Sequence, residues 1–214
     1  LMTRNKEIGN DAINLFHYLT GYAPEQNYKH LVVAPRDMRK IFFEKIDREI
    51  AIQQSGGKGY VMAKMNALDD VKTVAKLYEA SRAGVKIDLI IRGHTRIRPG
   101  IKGFSENISV ISIIGRFLEH DRVFYFQNGG DDEVFIGSAD WRRRNLDDRV
   151  EVIVPIYDKR LKKRLIKILK NALKDNRLAW ELKSDGTYQL RQKGENDEFN
   201  YHEWLMNDAL TRNK

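Results

Sequence analysis

His120 stands two residues before Arg122. Beyond a turn-rich segment, Asn128-Gly129-Gly130-Asp131-Asp132, an apolar run from Val134 to Ile136 leads into Gly137-Ser138-Ala139-Asp140. Residues 115–151 therefore bring within one hairpin an imidazole, a permanent guanidinium charge, and a small-residue turn carrying a hydroxyl and a carboxylate. Phosphoryl chemistry calls for this combination. A nucleophile or proton donor must act beside fixed positive charge that offsets the charge developing on oxygen. Three further residues invite the same reading: Lys64 and Asn66 at the end of the apolar run 60–65, and Arg92 directly after the run 85–91. Ligands of open α/β sheets bind outside the C-terminal ends of strands, where these three are expected.

The surrounding elements follow from periodicity. Residues 10–21 read as a helix with Ile13, Phe16, Leu19 and His17 on one face, ended by Gly21. The run 31–34, closed by Pro35, reads as a buried strand, and 37–54 as a helix with an apolar stripe of Met38, Ile41, Phe42, Ile46 and Ile50. The glycine cluster 55–59 lacks the spacing of a phosphate loop and reads as a connection. A strand 60–65, a helix 69–83 and a strand 85–91 complete a strand–helix alternation typical of a parallel sheet. The loop 92–107 carries Arg92, Arg96, Arg98 and Lys102 between glycines, an anion clamp in outline. Strands are expected at 108–114, 123–126, 134–136 and 148–155, the last with Val150, Val152 and Val154 on one face and Arg149 and Glu151 on the other. A basic helix covers 158–177, a hairpin 180–192 turns at Ser184-Asp185-Gly186, and a polar tail 193–200 precedes a short helix 201–210. The expected division is a domain over 1–178, with a hairpin and helical tail over 179–214.

With 214 residues, 42% hydrophobic and 32% charged, the chain has the composition of a folded domain. Its formal charge of +8 favours polyanionic partners. The absence of cysteine excludes disulfides, thiol nucleophiles and cysteine-ligated zinc. No apolar run approaches the ~20 residues that span a bilayer. The N-terminus, Leu1 to Glu7, has no signal-peptide core and does not start with methionine, so the chain is expected to be trimmed or to begin inside a longer one.

His120-x-Arg122 and Gly137-Ser138-Ala139-Asp140 resemble the H-x-K-x4-D and G-S-x-N pattern of a two-histidine phosphoryl-transfer superfamily, with departures. Arginine replaces lysine, Gln127 falls at the aspartate position, and Asp140 replaces asparagine. The pattern occurs once, so the chain supplies at most half of a site built on two opposed histidines. Longer text is more specific. The segments LMTRNKEIG (1–9), REIAIQQSGGKGYVMAKMNALDD (48–70), LYEASRAGVKIDLIIRG (77–93), GFSENISVISIIGRFLEHDRVFYFQNGG (103–130) and IGSADWRRRNLDDRVEV (136–152) resemble, in order, the last domain of the ATP-linked (type 1) polyphosphate kinases. That family also has aspartate at the Asp140 position.

The resemblance implies an α/β fold, a phospholipase-D-like domain with a mixed, mostly parallel β-sheet and helices on both faces. It implies reversible transfer of the terminal phosphate of ATP to inorganic polyphosphate through a phosphohistidine on the preceding domain, which this chain lacks. Magnesium is expected mainly through that domain, and no metal ligand is assigned here. At the matched positions Arg92 and His120 contact ATP, with His120 as the partner histidine, not the nucleophile. Lys64, Asn66, Arg122, Ser138 and Asp140 are expected to line the phosphate channel, Asp140 by orienting a neighbouring cation or histidine. The text departs from the family at His94-Thr95-Arg96, and no contact is carried over beyond Gly93 in that loop. The implied partners are ATP, ADP, polyphosphate and the preceding domain, with no specific nucleic acid. The whole enzyme is expected in the cytoplasm, self-associating and with peripheral membrane contact. Two other readings stand beside this one. One is a phospholipase-D-type phosphodiesterase or nuclease acting as a dimer of two His120 copies. The other is a non-catalytic polyanion-binding module using the helix 158–177.

Overall fold

The computed structural model describes residues 2–22, 27–192 and 197–212, so part of the polar tail, 193–196, lies outside the described residues. In order the elements are α1 (Lys6–Leu19), β1 (Val32–Ala34), α2 (Met38–Gln54), β2 (Tyr60–Met65), α3 (Val71–Arg82), β3 (Lys86–Ile91), β4 (Ile108–Ile113), β5 (Val123–Phe126), β6 (Glu133–Gly137), β7 (Glu151–Pro155), α4 (Lys159–Ala172), β8 (Ala179–Leu182), β9 (Tyr188–Leu190) and α5 (Tyr201–Arg212). Four helices start where a side chain meets their orphan amides. Asn5 accepts from Glu7 and Ile8, Asp70 from Thr73, Asp158 from Leu161, and Asn200 from His202 and Glu203.

The described strands form one nine-stranded sheet in the order β1-β7-β6-β5-β2-β3-β4-β8-β9. The mixed α/β sheet with helices on both faces is the expected one. The expectation of mostly parallel pairing is corrected: only β2 with β3 and β3 with β4 pair in parallel, and every other neighbour is antiparallel. Connection length explains part of the difference. A parallel pair needs a crossover of a dozen or more residues, as α3 provides, whereas the short turns from β5 to β6 and from β8 to β9 can only fold back. β1 sits at the sheet edge against β7, with Val33 opposite Val152, so α2 carries the chain over three strands before β2 enters.

Alternation along the strands divides the interior in two. Ala63 and Met65 of β2, Leu89 and Ile91 of β3, and Phe124 and Phe126 of β5 pack beneath α2 and α3 with Phe42 and Leu77. Met62, Ile90, Ile111 and Tyr125 face the other way, against Leu169 of α4 and Tyr201 of α5. On the first face Trp141 is fully buried, 5.3 Å from the Phe42 ring and 5.2 Å from the Phe124 ring. Its carbonyl accepts from the amides of Asp69 and Asp70 at 3.1 Å, which pins the start of α3 to the segment after β6.

Two local expectations differ from the structure. On α1 the predicted face is open: Ile13, Phe16 and Leu19 are 54, 66 and 52% exposed, and Ile8 and Asp11 are buried instead. Asp11 turns the helix, because its carboxylate accepts from the amides of Lys29, His30 and Leu31. The polar face predicted for 148–155 is split, with Arg149 exposed ahead of β7. Glu151 is buried against the Asn145 amide, and Ile153 joins the α2 side of the core. No described helix is long and apolar enough to cross a membrane.

Burial pushes the Asp70 carboxyl up, but the Arg39 guanidinium, at 2.9 and 3.1 Å, with the Thr73 hydroxyl and amide, outweighs burial and holds it below the usual carboxylate value. Its stabilisation is therefore present above the unfolded carboxylate pKa of about 4 and lost as pH falls through the lower folded value. Asp70→Asn should be less stable at pH 7 and should lose less stability than the parent between about pH 5 and 3. Equal losses in acid urea titrations would refute this role. Trp141→Ala should cost about 3–5 kcal/mol in the same assay.

Candidate functional site

The site is organised on the end of β2. Past Met65 the chain meets Asp140, whose Oδ1 accepts from the Asn66 amide at 2.8 Å and from the Asn66 side chain at 3.1 Å. The same carboxylate holds Arg122, with Nε 3.0 Å from Oδ1 and Nη2 3.3 Å from Oδ2. Both partners are nearly buried, at 11% and 7% side-chain exposure. An asparagine could not offer two charged acceptors to this guanidinium, which gives a physical reason for the acid at this position.

Arg122 in turn holds His120. Nη1 donates to the His120 Nδ1 at 2.9 Å and to its carbonyl at 2.7 Å, and Nη2 lies 3.5 Å from Nε2, too far for a good hydrogen bond. A guanidinium has no lone pair to offer, so Nδ1 is the acceptor. The neutral ring then carries its proton on Nε2, on an exposed side chain. This tautomer suits a donor toward a developing oxyanion and opposes a nucleophile, which needs Nδ1–H held by an acceptor and a free Nε2 lone pair.

Residues on either side of His120 are fixed as well. Lys64 is buried, and its Nζ lies 2.5 Å from Asp121 Oδ1 and 3.4 Å from Glu119 Oε2. Arg92 donates to the Glu119 carbonyl. Glu119 also takes the Nε2 of His202, at 3.3 Å, from the start of α5, and the Nδ1 of His202 lies 3.5 Å from the Phe117 amide. Gly115 permits that approach, since a Cβ there would stand 2.8 Å from the His202 Nδ1. Gly93, beside Arg92, likewise passes within 2.9 Å of the Asn66 carbonyl, measured from the Cβ it lacks. The cavity between Lys64, Asn66, Arg92, Glu119 and Asp121 is only about 10 Å³, at the lower limit for one water.

The structure thus gathers Lys64, Asn66, Arg92, His120, Arg122 and Asp140. Ser138 lies at the rim, where its hydroxyl accepts from the Val152 amide at 3.1 Å and closes β6 on β7. The loop cations separate from Arg92. Arg96 lies with Arg143 and Arg144 around Asp69 and Asp147, and the imidazole of His94 meets Asp69 at 3.1 Å. Burial raises the Asp69 carboxyl, but His94, Arg142 and the Arg143 amide together hold it low. Glu119, Asp121 and His202 were missed by sequence reasoning. Glu119 and Asp121 flank His120 in the chain, and their shared lysine is the signal that only packing reveals. Nothing local marks His202. The site carboxylates are each committed to Lys64 or Arg122, and no cluster of three metal-ligating side chains occurs among the described residues.

Comparison with known proteins decides the family. Residues 31–202 match the model of the polyphosphate kinase C-terminal domain 2. The chain belongs to this family. It is 53% identical over 192 residues, 90% of the chain, to a polyphosphate kinase of Synechocystis sp., of which it spans 26%, about a quarter. The crystal structure of a polyphosphate kinase from Porphyromonas gingivalis superposes with a TM-score of 0.94 at 36% identity, covering 99% of this chain and 32% of that one. Nuc of Salmonella typhimurium, a phospholipase D family member, superposes with a TM-score of 0.53 at 14% identity over 72% of this chain and 97% of its own, which shows a shared fold. The chain therefore has the phospholipase-D-like fold expected from its sequence.

Removing one partner of the Arg122–Asp140 pair leaves a nearly buried charge uncompensated, so Asp140→Ala should lower stability by about 3–5 kcal/mol. A loss below about 1 kcal/mol in urea unfolding of the chain would show that the clamp adds nothing to the fold.

Proposed function

We propose that this domain is one wall of an ATP:polyphosphate phosphotransferase site, completed by the preceding domain of a longer chain. A histidine nitrogen of that domain attacks the γ-phosphorus of ATP. The bond from phosphorus to the bridging oxygen breaks, and its electron pair stays on ADP. Nε2–H of His120 donates to that oxygen as charge develops, and Arg92 offers a planar fork to the phosphate oxygens. A terminal oxygen of polyphosphate then attacks phosphorus and the phosphorus–nitrogen bond breaks. The reverse sequence regenerates ATP.

The observation that carries the reading is the contact of Arg122 Nη1 with His120 Nδ1, which leaves Nε2 to carry the proton of the neutral ring and so makes the imidazole a donor. It also counts against a phosphodiesterase dimer, in which one of two such rings would have to attack. The exposed apolar lip beside His120, with Ile114, Phe117 and Leu118 at 61, 42 and 81% exposure, supports a split site, since it offers the preceding domain a surface to cover. Lys64 and Asn66 stand behind Arg92 as the back of the phosphate channel, and Ser138 at its rim. Magnesium belongs with the preceding domain in this scheme, and self-association and peripheral membrane contact in the cytoplasm belong to the whole enzyme.

In the full-length enzyme, His120→Ala should lower kcat for polyphosphate synthesis by about 10²–10⁴-fold with an unchanged melting temperature. Arg92→Gln should raise KM for ATP as well. The isolated 214-residue chain, incubated with γ-labelled ATP, should retain no acid-labile label. Near-normal turnover of the His120 variant, or stable label on the isolated chain, would reject the two-wall site.

A further inference from the structure

α4 carries a feature that the site does not use. Arg160, Lys163, Lys167, Lys170 and Lys174 recur at intervals of three, four, three and four, and all five are exposed. At 100° per residue they occupy a stripe about 80° wide and about 21 Å long. The stripe lies opposite the partly buried Leu165 and the buried Leu169 and Ala172, and Leu173 keeps helical geometry so that Lys174 continues it.

The stripe has no internal compensation. From Lys159 to Lys174 the sequence contains no acid, and none of the five cations makes an ion pair among the described residues. Lys167 alone is engaged, 5.5 Å over the Trp204 ring. Other helices of the chain interleave their charges: Lys40 with Glu44 on α2, Lys76 with Glu79 on α3, and Arg212 with Asp208 on α5. Like charges at these spacings destabilise a helix. An ordinary solvated face has no need of such a run, whereas a face that meets a repeating anion does.

The stripe also leads toward the site. Arg164 pairs with Asp208 and Lys167 with Trp204, so α4 and α5 run antiparallel and the Lys174 end lies at the start of α5. There His202 holds Glu119 and Asp175 caps the Tyr201 amide, while the Leu178 carbonyl receives the amide of Ile114, where the His120 segment begins.

We propose that this stripe is an external track for the polyphosphate chain, a linear polyanion with one charge per repeat, which it delivers to or draws from the site. The assignment of polyphosphate rests on the function proposed above; the track itself rests on the stripe. An anionic membrane fits less well, because Leu169 and Ala172 on the apolar face of α4 are buried against the sheet and cannot enter lipid.

The test uses the 214-residue chain and the variant K163Q/K170Q/K174Q, whose three lysines touch none of the site residues. Binding of fluorescent long-chain polyphosphate should weaken at least tenfold in the variant, with a log–log salt slope shallower by about two to three and no loss of thermal stability. His120→Ala in the same chain should bind as the parent does. In the full-length enzyme the triple variant should raise KM for long polyphosphate more than for chains of a few phosphates, with KM for ADP unchanged. Parent-like binding by the triple variant would overturn the track. Equal affinity for duplex DNA or phosphatidylserine vesicles, lost in the same variant, would overturn the assignment to polyphosphate. Because these readouts do not need His120, a catalytically unaffected His120→Ala enzyme would reject the site mechanism and leave the track standing or falling on binding alone.

Discussion

The carboxylate of Asp140 is the contact on which the rest of the site depends. It closes the end of β2 through the Asn66 amide and receives Arg122 from the segment before β5, so one side chain joins two strands that approach the site from opposite directions. A buried acceptor of this kind is stable only when its donors are complete. Here they are an amide, a side-chain amide and a guanidinium. The guanidinium is consequently held rigid, and rigidity is what allows it to dictate the protonation pattern of His120. A freely rotating arginine would impose no tautomer.

Around that clamp the site is built by opposed charges. Lys64 is buried between the two acids that flank His120, Arg92 meets the carbonyl of one of them, and His202 reaches the same acid from α5. The segment Glu119–Arg122 is thus held from β2, β3, β6 and α5 at once. A loop held on so many sides can present an imbalance of donors toward one open direction, which is what stabilisation of a leaving oxyanion requires. The near absence of empty space among these residues follows from the same pairing.

The chain spans about a quarter of its relatives, and its features fit a part of a larger machine. His120 is exposed, the apolar lip beside it is open, and α1 turns Ile13, Phe16 and Leu19 outward because Asp11 commits its other face to the segment before β1. The basic run on α4 fits the same picture from a different face of the domain.

Much of this was written in the linear text. Periodicity located α2, β2, α3 and β3 within a residue or two, because each buries a regular face and ends in its own capping or glycine signal, and the His120, Arg122 and Asp140 text pointed to phosphoryl chemistry. Local pattern does not carry strand neighbours. β1 and β2 are separated by one helix in the chain and three strands in the sheet, and the largely antiparallel pairing follows from which hairpins close, a choice made by packing across the whole sheet. The roles of Glu119, Asp121 and His202 and the tautomer of His120 belong likewise to tertiary structure. Residue type and spacing determine which groups are available for chemistry. Which lone pair or proton each one presents depends on partners up to eighty-three residues away, as Glu119 and His202 are, and only the folded sheet brings them together.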